Sequence, residues 1–154
     1  MLTAVRLYDW LQTQLGCLTE DPTLEWGIGG SVLLLHLGLL DSARDVDLVC
    51  SVQSFDQILQ RLQPQCMELP LSPLPHYCSG RFVRLLTPDG VVLELMADIA
   101  VYRDGQRQGW QFEPASVIWQ QQLPWMQPGQ WLTLYQLFDR PQRVSCLQAH
   151  LNRP

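Results

Sequence analysis

Two short motifs constrain the fold of this chain more than any other feature, because they require a tight turn and a strand to lie side by side. Gly29-Gly30-Ser31 follows a short apolar run, and Asp45-Val46-Asp47 opens a second one that continues to Cys50. Residues 31–39 between them read as a short apolar helix. The order of strand, glycine turn, helix and strand predicts that two carboxylates lie beside the turn.

The two carboxylates share one face of their strand, because successive side chains alternate and the Cα atoms of Asp45 and Asp47 lie roughly 7 Å apart. Such carboxylates repel and raise each other's pKa unless a cation lies between them. Mg²⁺ prefers one or two carboxylates together with substrate phosphates, and a pair of such ions suits phosphoryl displacement. Asp45 and Asp47 therefore indicate a site for two Mg²⁺ ions. Solvated acids at a strand end are the alternative.

The glycine turn has the chemistry of a phosphate site. Gly29 and Gly30 permit close approach of the backbone to a ligand, and the hydroxyl and first free N–H groups at Ser31 point toward an anion. An ordinary loop in which Ser31 only caps the helix is the alternative. Arg44 precedes the first aspartate and is a further candidate phosphate ligand, or else a surface residue.

A third acid is expected on a later strand. Glu94 lies in the apolar run Val91–Met96, where a charge requires a reason. Asp98 is the alternative, and because the two Cα atoms are roughly 13 Å apart along a strand, one metal cluster does not use both. If residues 87–90 form a tight turn, Arg84 lies opposite Glu94, and an ion pair explains the charge without catalysis.

Composition excludes several classes of function. All ten cationic residues are arginine, which removes Schiff-base lysines and the lysine of a Walker A loop. The net charge of −5 argues against a protein that wraps nucleic acid. The scattered cysteines lack zinc-ligand spacing and read as buried or half-buried thiols. No apolar stretch is long enough to span a bilayer and the N-terminus carries charge, so we expect a cytoplasmic protein that does not contact a membrane.

The element pattern predicts one domain over residues 1–154, with a core over about 1–112 and a small appendage of C-terminal helices over about 114–151. Helices are predicted at 2–15 and from Ser54 to about Leu62, with a proline-rich loop at 63–79 and a hairpin formed by 81–86 and 91–96. The fold class is α/β or α+β, with flanking helices around a mixed sheet of about four to six strands.

Aromatic and histidine residues give weaker signals. Tyr77, Phe82 and Trp110 either stack on a base or pack around the hairpin. His36, His76 and His150 have no ligand or nucleophile spacing and are interpreted as structural.

The residues Trp26–Ser31 followed by Asp45-Val46-Asp47 resemble the nucleotidyltransferase superfamily related to DNA polymerase beta. The pattern is Gly-Gly/Ser-Ser, about ten residues, Asp-x-Asp/Glu and a third acid on a later strand. The similarity covers roughly residues 24–96 and extends to small lincosamide nucleotidyltransferases, to minimal nucleotidyltransferases of toxin–antitoxin operons and to AbiEii-type toxins.

The resemblance implies that Gly30 and Ser31 hold the triphosphate of an NTP, with ATP as the first choice, and that Asp45 and Asp47 bind two Mg²⁺ ions. Glu94 takes the place of the third acid, which is usually aspartate. The longer side chain of glutamate is expected to weaken metal binding or general-base function, and with it turnover. The implied reaction passes an NMP to a hydroxyl or phosphate of a small molecule, protein or tRNA. The alternative is a weak or inactive nucleotide-binding regulator, for example a toxin–antitoxin partner.

Overall fold

The structure, a computed structural model, describes residues 1–71 and 77–154. Its helices are α1 (Leu7–Thr19), α2 (Gly30–His36), α3 (Val52–Leu62), α4 (Pro128–Leu137) and α5 (Pro141–Leu151). Its strands are β1 (Leu2–Thr3), β2 (Trp26–Gly29), β3 (Ser42–Ala43), β4 (Asp45–Cys50), β5 (Met67–Leu69), β6 (Arg81–Leu86), β7 (Val92–Ala97), β8 (Ile99–Arg103), β9 (Gln106–Trp110), β10 (Val117–Gln120) and β11 (Leu123–Met126). Short 3-10 turns lie at Gln63–Gln65 and Pro114–Ser116.

Most of the strands form one mixed sheet in the order β10-β11-β2-β4-β7-β6-β5. β4 is antiparallel to β2 and parallel to β7, and β7 is antiparallel to β6. This confirms the predicted α/β or α+β fold, although its seven strands exceed the expected number of about four to six. β1 pairs with β3, and β8 pairs with β9, in separate two-stranded sheets.

The central strands owe their orientation to burial on one side. Val46 and Leu48 on β4 are fully buried, whereas Asp45 and Asp47, which alternate with them, are partly exposed. β7 repeats the pattern with buried leucines on either side of Glu94. Because each buried Val or Leu stabilises the fold by about 1.5–3 kcal/mol, a slip of one residue is strongly disfavoured. The core therefore fixes the carboxylates on the opposite face.

The prediction of helices throughout 114–151 is correct for α4 and α5 and wrong for 117–126. There β10 and β11 form a hairpin, and β11 adds to the main sheet beside β2. Two features concealed it. All four residues of β11 are buried, so the alternation of a half-buried strand is absent. The turn places Gln121 and Gln122 at φ +53° and +61°, where Asn or Gly is the usual signal.

Two predicted helix starts differ from the structure. The helix predicted from Leu2 begins at Leu7, because Leu2–Thr3 pairs with Ser42–Ala43 instead. The helix predicted from Ser54 begins at Val52, because Ser51 is its N-cap and the Ser51 side chain accepts the Ser54 N–H.

The predicted loop at 63–79 contains the short strand β5, which pairs with β6. Residues 72–76, and with them the interpretation of His76, lie outside the described residues. The contacts of His36 agree with the predicted structural role, since its ring stacks on Trp125 and forms hydrogen bonds with Tyr8 and Gln120.

The predicted β6–β7 hairpin is confirmed. α5 starts at Pro141, and Gly38 follows α2 at φ +75°. The five cysteines are free thiols, all buried or half-buried. One hydrophobic cluster includes residues from Leu2 to Leu147. None of the described helices is long and apolar enough to cross a membrane.

Candidate active site

A row of charged side chains crosses the centre of the sheet. Asp47 on β4 is in register with Glu94 on β7, which is in register with Arg84 on β6. Arg84 Nε lies 3.7 Å from Glu94 Oε1, so the predicted cross-strand pair is confirmed. Asp45 is two residues from Asp47 and shares its face. The sheet thus brings the three predicted acids Asp45, Asp47 and Glu94 to one surface.

The glycine turn lies directly beside this row, because Gly29 at the end of β2 is in register with Asp47. Gly30 has φ +68°, a conformation that favours glycine. A Cβ atom on Gly30 would lie 2.7 Å from Asp47 Cγ and 2.9 Å from Asp47 Cβ and would overlap the carboxylate. Ser31 Oγ donates to the carbonyl of Asp45 at 3.2 Å. The glycine turn and the aspartate strand are therefore in direct van der Waals and hydrogen-bond contact, as predicted.

The C-terminal helices cover the site. A Cβ atom on Gly29 would overlap the indole ring of Trp131 in α4, with Trp131 Cδ2 at 2.7 Å. Trp131 is fully buried, and Tyr135 one turn later is in edge-to-face contact with it, with ring centroids 6.0 Å apart. The helices that the sequence suggested were an appendage therefore form one wall of the site.

A cavity of about 740 Å³ lies between the sheet and these helices. Ser31 and the charged side chains that line it are Asp45, Asp47, Glu94, Arg84, Arg140 and Arg143. The rest of the described lining is mainly apolar and aromatic. This size suits a small organic ligand or cofactor.

Arg140 and Arg143 were not found from the sequence. Arg140 is the N-cap of α5 and Arg143 lies in its first turn, and both reach the cavity. A helix N-terminus carries partial positive charge and disfavours cations. Pro141 marks a helix start in the sequence, and two arginines beside it are unfavourable for the helix. Their position could therefore have indicated that they serve a binding site instead. In a chain without lysine, their guanidinium groups bring positive charge and hydrogen-bond donors to the cavity.

Burial raises the pKa of the Asp47 carboxyl well above its usual range, and the neighbouring Glu94 and Asp45 raise it further, against an opposing effect of Arg140. Burial also raises the pKa of Glu94, with Asp45 acting in the same direction and Arg84 and Arg140 opposing. The carboxylates are thus held at a spacing that costs free energy while no cation is between them.

Tyr135 faces the same charges. Burial raises the pKa of its phenol to about 12, and nearby Asp47 contributes in the same direction. Tyr135 lines the cavity and therefore remains a neutral hydroxyl, able to donate a hydrogen bond at any physiological pH.

Two predicted site residues lie elsewhere. Arg44 is exposed between β3 and β4 and is not among the residues that line the cavity. Asp98 follows the end of β7 at φ +49°, and its carboxylate accepts from Arg107 at 2.9 Å. The strand is broken there, so Asp98 does not continue the face that carries Glu94. Of the two candidates for a third acid, the structure brings Glu94 to the aspartates.

The donor set fits a metal that is shared with a ligand. Within residues 1–71 and 77–154, no group of three or more His, Cys, Asp or Glu side chains is arranged to hold a metal ion by itself. Mg²⁺ binds in many phosphate-transfer sites through one or two carboxylates and substrate oxygens. Asp45 and Asp47 offer that number of carboxylates. Burial raises the pKa of Asp47 most and repulsion from Glu94 and Asp45 adds to it, and a divalent cation would oppose both effects.

No protein-family model and no curated protein sequence matches this chain. Among solved structures, the chain is similar to a "putative nucleotidyltransferase" from Thermotoga maritima, with a TM-score of 0.69 and 18% sequence identity. The alignment covers 99% of this chain and 96% of the other. At this level of identity the similarity shows the fold, which is nucleotidyltransferase-like over the whole chain.

Proposed function

We propose that this protein is a nucleotidyltransferase that binds an NTP with Mg²⁺, ATP being the first choice, and transfers the NMP to an acceptor. An acceptor oxygen bonds to the α-phosphorus, the bond to the bridging oxygen of the β-phosphate breaks, and pyrophosphate leaves. The observation that carries the proposal is the meeting of Gly30, Asp45, Asp47 and Glu94 at a cavity that two arginines enter from α5.

Each group has a role in this scheme. Ser31, Arg140 and Arg143 hold the phosphates, while Gly29 and Gly30 leave room for Trp131 and for the Asp47 carboxylate. Asp45 and Asp47 are the metal ligands, and Glu94 completes the acidic set as a third ligand or as acceptor of the nucleophile's proton. Mg²⁺ bound there supplies positive charge at the phosphates. Catalysis then rests on positioning and electrostatic stabilisation.

The first test is binding and transfer of nucleotide. Calorimetry with each NTP in Mg²⁺ measures affinity, and α-labelled NTPs offered with pooled small molecules, proteins and tRNA detect transfer. Asp45→Asn and Asp47→Asn should abolish transfer, whereas Asp56→Asn, on the exposed side of α3, should not. If wild type binds no NTP and the aspartate variants match it in every assay, the proposal is wrong.

The arginines are tested separately. Arg140→Gln and Arg143→Gln should each weaken the binding of MgATP by roughly ten- to a hundredfold, because a hydrogen bond to a charged group contributes about 1.5–3 kcal/mol. Arg153→Gln, beyond the end of α5, is the matched control. Equal affinity in all three variants would remove the arginines from the phosphate site.

A second function is a nucleotide-binding regulator that retains the fold without turnover. The Arg84–Glu94 pair favours it, because it occupies the acid that transfer requires. In that case wild type binds MgATP without transfer, and Glu94→Asp restores labelling. Robust transfer by wild type rules it out.

The acceptor is also part of this proposal, and only the chemistry of the transfer limits which groups can serve. A hydroxyl or phosphate on a small molecule, a protein or a tRNA satisfies the reaction, and the net charge of −5 makes tRNA the weakest of the three. We further propose a cytoplasmic location and, for the regulator, a toxin–antitoxin partner protein. Labelling in a lysate with and without ribonuclease separates tRNA from the other acceptors.

A further inference from the structure

The cavity has an apolar end that the proposed transfer chemistry does not use. On the sheet, Phe82 is in register with Met96. This pair lies two residues along β6 and β7 from the Arg84–Glu94 pair, on the same face. Phe82 and Met96 both line the cavity. Two residues along a strand span about 6.6 Å, which is comparable to the separation that a ribose puts between an α-phosphate and its base. An apolar pair of side chains therefore lies about one sugar away from the charged row.

Aromatic side chains from other elements line the same cavity. Phe138, at the end of α4, and Tyr77 lie edge to face with ring centroids 5.4 Å apart. Tyr77 is anchored by a backbone bridge to Val101. Along β6 and β7 the wall of the cavity thus changes from charged at Arg84 and Glu94 to apolar at Phe82 and Met96.

We propose that this apolar end binds the nucleobase by stacking on Phe82 and Met96, and that it selects purine nucleotides by stacking area. The inference rests on the proposed function and deepens it. A single ligand that matches both ends needs a charged group and a planar apolar group about one sugar apart, and a nucleoside triphosphate has both. Ser79 also lines the cavity, but its hydroxyl already accepts the N–H of Ala100. Stacking accepts any base and favours the larger rings.

The test separates base binding from phosphate binding by using two probes with Mg²⁺, ATP and inorganic tripolyphosphate. Phe82→Leu keeps an apolar side chain of similar bulk and removes the ring. It should weaken ATP about tenfold and leave tripolyphosphate unchanged, since base stacking on an aromatic residue contributes about 1–3 kcal/mol. Phe82→Tyr retains the ring and should bind ATP as wild type does. Trp119→Leu, on the exposed edge strand β10, is the matched control for loss of an aromatic ring.

With wild type, ATP and GTP should bind with similar affinity and CTP more weakly. The inference is overturned if Phe82→Leu binds ATP as tightly as wild type, if it loses ATP and tripolyphosphate equally, or if CTP matches ATP. Failure of the proposed function looks different, since wild type then binds neither ATP nor tripolyphosphate.

Discussion

The contact between the glycine turn and Asp47 makes a quantitative prediction about Gly30→Ala. Alanine at this position meets two penalties, the left-handed backbone at φ +68° and overlap with the Asp47 side chain. Rotation of the carboxylate does not relieve the overlap, because Asp47 Cβ itself would lie 2.9 Å from the added methyl. The strand or the turn must shift, and with it the candidate metal ligand.

Two other glycines isolate the two penalties. Gly38 has φ +75° with no atom within 4 Å of an added Cβ, so Gly38→Ala reports backbone strain alone. Gly29 has an extended backbone, and the three atoms nearest to an added Cβ belong to the ring of Trp131, so Gly29→Ala reports overlap without φ strain. All three changes reduce the entropy of the unfolded chain alike, which offsets each by about 0.4–1 kcal/mol.

The magnitudes follow from these terms. Left-handed strain of about 1–2 kcal/mol, less the unfolded-state term, leaves about 1 kcal/mol for Gly38→Ala. Overpacking adds about 1–3 kcal/mol, which brings Gly30→Ala to about 2–4 kcal/mol. For a chain of this length, that loss lowers the melting temperature by roughly 5–15 °C.

Urea unfolding of the three variants and calorimetric titration with MgATP provide the measurements. Of the two variants at positive φ, Gly30→Ala should be less stable than Gly38→Ala. Gly30→Ala should also lose MgATP affinity, whereas Gly38→Ala should bind as wild type does. If Gly30→Ala is no less stable than Gly38→Ala, the close approach of the turn to Asp47 is not a constraint and the reasoning fails.

Three further predictions concern stability. The raised pKa of Asp47 means that the folded state binds its proton more tightly, so metal-free protein loses stability as pH rises above 3.8, the ordinary value. Asp47→Asn should therefore raise the melting temperature in EDTA at neutral pH, with a gain that shrinks toward pH 4 and no such gain for Asp56→Asn. Burial lowers the pKa of His36, so stability falls as pH drops below 6.5, and His36→Gln should remove that acid-side loss in thermal melts. The buried hydroxyl of Thr87 bonds to both backbone groups of Val91, so Thr87→Val should cost about 1–3 kcal/mol in urea unfolding, against little for exposed Thr133→Val.

The features that sequence reasoning predicted correctly are local or set by a simple period. Alternation along β4 placed Asp45 and Asp47 on one face, and the length of the β6–β7 turn placed Arg84 opposite Glu94. Both depend on backbone geometry within a few residues. The core then fixes them, because any other register exposes fully buried leucines.

The features that were missed depend on distant parts of the chain. Arg140 and Arg143 line the same cavity as Asp47 only because α4 and α5 fold back over the sheet, and no periodicity in residues 128–151 carries that information. The approach of Trp131 to Gly29 is equally nonlocal. β11 was concealed because a strand buried on both faces loses the alternation by which strands are recognised.

The Arg84–Glu94 pair is too weak to account for an acid in the middle of β7. The 3.7 Å between Nε and Oε1 exceeds the range of a good N–H···O hydrogen bond, and both side chains are partly exposed, at 30% and 22%. Pairs of this kind contribute about 0–1 kcal/mol. The pKa of Glu94 stays raised even with Arg84 beside it, so the pair does not offset burial and the charge on Asp45. A glutamate that the fold holds at a net cost, in register with Asp47, is better explained by a ligand than by the hairpin. Under the proposed function, a bound triphosphate would offer Arg84 a stronger anionic partner than Glu94 and would free this carboxylate for the metal or the acceptor. The same pair that favours a regulator in the empty cavity is therefore compatible with turnover in the filled one.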